Sequence, residues 1–202
     1  MAYPTVDAPY GMVPVNLLGG QVYAGQTREM PIGQNETTAI FFGDVVTLNS
    51  AGNVTKVTTT ATATTIGVFL GCTYIDPNTS QPVYKQYYPG AINVAGMQAY
   101  VQDDPDQLYK VAVVSSGTTI GNLTRAAVGK NVSLVQNSGS TTNGNSRNAV
   151  LNTTDTETTL PIRVVDVVPE TAVAGFPGSY TEVIVRFNFG ISLYENAEGR
   201  GA

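Results

Sequence analysis

The chain has 202 residues, of which 12% are charged, a net charge of −5, a single Cys and neither His nor Trp. Without His it lacks the one side chain whose ordinary pKa lies near neutrality and the commonest metal ligand, so any catalysis would fall to carboxylates, Lys, Tyr or a hydroxyl. Its ten Lys and Arg are scattered singly, which argues against a nucleic-acid partner, and the lone Cys72 offers neither a disulfide nor a metal-ligand spacing.

Residues 1–36 differ in character from the rest of the chain. Pro4, Pro9, Pro14 and Pro31, with Gly11, Gly19, Gly20, Gly25 and Gly33, break helices and interrupt sheet ladders. The stretch is still too apolar for a plain linker, since it carries Tyr3, Tyr10, Met12, Val13, Val15, Leu17, Leu18, Val22 and Tyr23. An extended apolar segment of this kind lies against something, either its own domain or a neighbouring subunit. The expected division is an extended N-terminal arm over 1–36 and a β domain over 37–202. If the arm docks elsewhere, Tyr10, Met12, Val13, Pro14, Leu17 and Leu18 are its candidate interface residues.

From Ala39 the β signal is strong. Val45-Val46-Thr47-Leu48 and Val54-Thr55-Lys56-Val57 flank the turn Asn49 to Asn53 and predict a hairpin. Thr58 to Thr65 reads as an edge strand or loop. Ile66 to Tyr74 reads as a strand whose two glycines mark a bulge or a close approach. Tyr84, Tyr87 and Tyr88 form an aromatic patch ended by Pro89-Gly90. Further strands are expected at Gln98 to Val101, Leu108 to Val114 and Asn131 to Val135, with one short helix around Leu123 to Val128 and a polar loop over Asn137 to Asn148. Ile162 to Val168 is apolar enough for burial on both faces. Thr181 to Leu193 alternates, with Val183, Val185, Phe187 and Phe189 on one side. Short strands with turns every few residues predict an all-β fold: a compact β-barrel or β-sandwich-like domain with an extended N-terminal arm and little helix.

The residues offer little chemistry. Asp103-Asp104-Pro105-Asp106 is the densest charge cluster, but it lacks the spacing of a calcium loop and reads as a solvated turn. A paired-carboxylate glycosidase site could in principle use Asp103 with Asp166 or Glu170, but the sequence lacks the Trp usual in carbohydrate clefts. No serine has a His base or a G-x-S-x-G elbow, and no Gly pair is followed by the Lys of a phosphate loop. Cys72 sits mid-strand, where an inert buried thiol is expected. The reading is a non-enzymatic protein with no cofactor and no metal. Met1 to Asp7 has no signal-peptide pattern, and no apolar run approaches the ~18 residues of a membrane span. The expectation is therefore a soluble protein made in a cytoplasm, with no membrane partner.

Three stretches in order carry a resemblance: Ala8-Pro9-Tyr10-Gly11-Met12-Val13-Pro14-Val15; Gly43-Asp44-Val45-Val46 with Ile66-Gly67-Val68-Phe69-Leu70-Gly71; and Val101-Gln102-Asp103-Asp104-Pro105. Over residues 8 to 190 the chain resembles the capsid decoration, or cement, proteins of tailed bacteriophages, especially marine and cyanobacterial ones. The resemblance implies a β-rich, non-catalytic virion protein, synthesised in the host cytoplasm and seated on the outer surface of an icosahedral head. It also implies a homotrimer that clamps neighbouring major capsid subunits. The alternative is a virion fibre or surface adhesin that stacks host glycans on Tyr84, Tyr87 and Tyr88.

Overall fold

The computed structural model describes residues 8–60, 64–172, 180–188 and 191–195. The N-terminal segment supplies β1 (Val13–Leu17) and β2 (Arg28–Pro31). β3 (Val45–Leu48), β4 (Val54–Lys56), β5 (Gly67–Ile75), β6 (Pro82–Lys85) and β7 (Gln98–Gln102) come next in the chain. The second half holds β8 (Gln107–Ser116), β9 (Thr119–Ile120), β10 (Asn131–Val135), β11 (Ala149–Asp155), β12 (Ile162–Val167) and β13 (Glu182–Phe187). The fold is all-β. The predicted helix shrinks to one 3₁₀ turn at Arg125–Ala127, as the flanking Gly121 and Gly129 leave no room for more.

β8, β11, β10, β12 and β13 form a closed barrel, because β13 at one end of the order also pairs with β8 at the other. Only the β8–β11 pairing is parallel. Tyr109, Val111 and Val113 of β8 point inward with Val132, Leu134, Val150, Ile162, Val164, Val183 and Val185. Closure leaves these strands few open edges, and each fully buried aliphatic side chain contributes about 1.5–3 kcal/mol. β12 is not buried on both faces as its composition suggested: Arg163 is exposed. A bulge between Val164 and Asp166 resets the alternation, so that Val167 joins Ile162 and Val164 in the core. Phe187 packs on the edge of this core with its ring 5.3 Å from that of Tyr109; Phe189 lies outside the described residues.

The second sheet has the order β2-β7-β5-β3-β4, with β6 on the far part of β5. A parallel bridge between Ile32 and Val54 brings its two ends together. One face encloses Met30, Ile40, Val46, Phe69, Cys72, Tyr74, Tyr88 and Val101. From the other side Val45 and Val68 join the barrel's core, so the sheets share packing. Between them runs a buried amide ladder: Gln102 Nε2 donates to Gln107 Oε1 at 2.9 Å, and Gln107 Nε2 donates to the carbonyls of Asn16 and Leu108. At the C-terminal end, Thr65 and the 191–193 segment exchange backbone hydrogen bonds of 2.8 and 2.9 Å.

The N-terminal segment is extended, but residue 36 does not divide an arm from a domain. β1 pairs antiparallel with β8, and β2 pairs antiparallel with β7. Met12 is fully buried in the barrel's core cluster, and Met30 and Ile32 belong to the second. The described part of the segment lies on its own domain.

Candidate functional site

The three sequence stretches that stand out meet at one place. Gly11 has φ +85°, and a Cβ there would lie 2.7 Å from the Ser146 Cβ and 2.8 Å from the Gly43 carbonyl oxygen. Only glycine satisfies both the left-handed backbone and the contact. Met12 N–H donates to Gly43 O at 2.9 Å, and Phe69 N–H donates to Asp44 O at 2.9 Å. At Gly67 a Cβ would fall 2.0 Å from the Gln102 carbonyl oxygen, so the middle stretch also presses on the third. Asp44, with no exposed surface, is the centre of this junction. Its carboxylate accepts from Phe41 N–H at 2.9 Å and Ser146 Oγ–H at 2.5 Å and pairs with Lys56 Nζ at 3.0 Å. These motifs hold the first, middle and last of the three stretches against one another.

The candidate interface residues separate by burial. Tyr10 is half-buried, and its hydroxyl donates a short hydrogen bond to Glu182 Oε1 while Lys110 Nζ sits 5.6 Å from its ring centre. Burial, then the hydrogen bond and charge of Glu182, hold that hydroxyl far above the ordinary tyrosine range. Met12 is inaccessible, which removes it from any docking face. Val13, Pro14 and Leu17 are half-buried along β1. Leu18, by contrast, is 43% exposed.

Leu18 belongs to a small protruding hairpin. Asn16 bridges Val22, Leu17 N–H donates to Gln21 O, and Leu18 N–H is anchored on Asp106 O at 2.8 Å. Val22 on this hairpin is 79% exposed. From Leu18 to Glu29 every residue but the half-buried Tyr23 faces solvent. Val22 was visible in the sequence as one apolar residue among several; nothing in the pattern distinguished the exposed side chains from Met12.

The remaining candidates lie apart from one another. Asp103 pairs with Arg28 at 2.8 Å and accepts from the Tyr194 hydroxyl at 2.8 Å, while Asp104 Oδ1 caps the turn by accepting from Asp106 N–H. Asp166 lies in the other sheet and pairs with Arg125. Among the described residues no group of three or more His, Cys, Asp or Glu is placed to hold a metal ion. No described helix is long and apolar enough to cross a membrane. Cys72 is buried, and burial pushes its thiol up to about 12. The tyrosine patch is split: Tyr88 is fully buried and donates to Glu36 O, Tyr87 stacks on Phe41 at 5.4 Å, and only Tyr84 is open, at 73%.

No protein-family model matches the chain, and no curated protein or solved structure does either.

Proposed function

We propose that this chain is a virion structural protein that decorates the outer surface of an icosahedral phage head. In this reading it associates as a homotrimer and bridges neighbouring major capsid subunits without catalysing a reaction. The observation that carries the reading is the hairpin bearing Leu18 and Val22, 43% and 79% exposed on a backbone already tied to the body of the domain. Removing such side chains from water contributes roughly 25 cal/mol per Å², and a pre-formed hairpin loses little entropy on docking. A surface low in charge suits dense repetition of identical copies, where like-charge repulsion would otherwise accumulate. The resemblance of the three stretches to decoration proteins supplies the head, the trimer and the capsid partner.

Quantitative mass spectrometry of purified virions measures the copy number against the major capsid protein. A ratio near one is expected; a ratio of a few per cent, or absence, overturns the reading. The double variant Leu18→Asp, Val22→Asp then assigns the contact. Both side chains are exposed, so its stability should stay within about 1 kcal/mol of the parent. Its affinity for heads lacking the chain should fall by about tenfold or more. Unchanged binding would remove the hairpin from the interface.

A further inference from the structure

Tyr84, an exposed aromatic side chain that capsid bridging does not use, has a partner on a different strand. Thr73 of β5 pairs with Tyr84 of β6 on one side and with Gln98 of β7 on the other. Two residues along β5, Gly71 pairs with Tyr100, which in turn pairs with Glu29 of β2. Paired positions share a face of a sheet, so Tyr84, Thr73, Gln98, Tyr100 and Glu29 all project from the same side. That side is solvent: Tyr84 and Glu29 are exposed and the other three half-buried. Between the two tyrosines lies an open groove of about 550 Å³, lined also by Phe42, Leu70, Gly71, Cys72, Lys85 and Gln86. The tyrosines stand two strand spacings apart across the sheet and two residues apart along it, roughly 12 Å between their backbones.

We propose that this groove is a binding site for a neutral oligosaccharide, stacked on Tyr84 and Tyr100 and hydrogen-bonded through Gln86 in its lining and through Glu29 and Thr73, which flank it on the same sheet face. The polar groups select the ligand. Gln86 Nε2 is committed to Asn145 Oδ1 at 2.6 Å, which leaves its carbonyl oxygen as an acceptor. Glu29 adds a carboxylate beside Tyr100, whose hydroxyl is held above its ordinary range by burial and by that charge. The ammonium of Lys85, a lining residue, lies 5.9 Å and 5.7 Å from the ring centres of Tyr74 and Tyr87. An anionic ligand would face the Glu29 carboxylate, with the Lys85 ammonium already engaged on those two rings. An apolar peptide side chain would cover these acceptors and leave them unpaired, at a desolvation cost. A pyranose ring presents a C–H face to the tyrosines and hydroxyl donors to the acceptors, so it matches both halves of the groove.

The test does not depend on the capsid reading, because the isolated chain suffices. With no Trp present, tyrosine fluorescence and saturation-transfer NMR report on the groove. The probes are neutral hexasaccharides of N-acetylglucosamine, α-glucose, β-glucose, mannose and galactose, with a hyaluronan hexasaccharide as the anionic counterpart. At least one neutral probe should bind with a Kd below about 1 mM and more tightly than hyaluronan. Tyr84→Ala should weaken it about tenfold, and Tyr84→Phe should stay within about twofold of the parent. Absence of binding by all five up to about 10 mM, tighter hyaluronan binding, or equal binding by Tyr84→Ala each overturns the assignment. Loss of head binding by Tyr84→Ala with no sugar bound would instead make the groove a protein contact and overturn it equally.

Discussion

Asp44 sets the energetics at the scale of single residues. Its carboxylate is fully buried, and the Lys56 side chain that pairs with it is only 12% exposed. Such a pair is weak evidence for net stabilisation, but removing one member strands the other without a partner in a poorly solvated place. Asp44→Asn keeps the shape, and its amide oxygen in the place of Oδ2 can still accept from Phe41 N–H and face Lys56 Nζ, yet it removes the negative charge that offsets the buried ammonium. The expected cost is about 3–5 kcal/mol in urea unfolding, against about 1–3 kcal/mol for Ser146→Ala, which loses one hydrogen bond to the same carboxylate and leaves the Asn148 N–H without its Ser146 Oγ acceptor. Equal losses in the two variants would mean that the ion pair carries nothing. In the sequence Asp44 was legible only as the polar residue of a Gly-Asp turn ahead of a hairpin. Its partners lie 12 and 102 positions away, a separation that no local pattern encodes. Cys72 needed no such knowledge: its place among Leu70, Gly71 and Tyr74 already described a strand interior.

Among the elements, β1 and β2 separate what the sequence pattern could give from what it could not. The β3–β4 hairpin and the strands β5, β7, β8 and β10 follow from local apolar runs and turn residues. Pro14 and Pro31 argued against strands, and rightly for central ones. Yet β1 and β2 are edge strands, where a missing N–H can face outward. An apolar segment with prolines therefore read as an arm, although Met12, Met30 and Ile32 insert into two different cores. The same ambiguity hid Tyr100: the sequence grouped Tyr84 with its neighbours Tyr87 and Tyr88, while sheet pairing groups it with a residue 16 positions on. Truncating the segment is therefore a test of folding. Deleting residues 1–36 removes two buried methionines, each worth about 2–5 kcal/mol, along with both edge strands. That sum competes with the whole stability of a domain, about 5–15 kcal/mol. The truncated chain should lose its cooperative thermal transition in calorimetry, and retention of a sharp transition near the parental Tm would show that the segment is dispensable to the fold.

Across the whole molecule, the sheets and both ends of the described chain are joined by tyrosine hydroxyls whose protons the fold retains. Tyr10 ties the N-terminal segment to β13 through Glu182. Tyr109 reaches from the barrel to the Gln102 carbonyl of the second sheet. Tyr194 ties the C-terminal segment to Asp103, whose carboxylate also holds Arg28. Burial leads the upward shift at all three, assisted by Glu182 at Tyr10, Asp104 at Tyr109 and Asp103 at Tyr194, which is pushed up to about 12. Linkage fixes the sign. Above the ordinary tyrosine value of 10.0, the unfolded chain releases these protons while the folded chain keeps them, so the unfolded state binds fewer and stability falls as pH rises. The contribution is complete below about pH 10 and is lost above it, Tyr194's share being spent by about pH 12. The Cys72 thiol acts in the same direction from its ordinary 9.0 up to about 12. Urea midpoints should therefore drop steadily from about pH 9 to pH 12. Tyr194→Phe and Cys72→Ala should each flatten that slope by up to one proton. A midpoint that holds constant to pH 12 would mean that these hydroxyls are as free to ionise in the folded protein as in the unfolded chain, and that the hydroxyl links between the two sheets carry no weight in its stability.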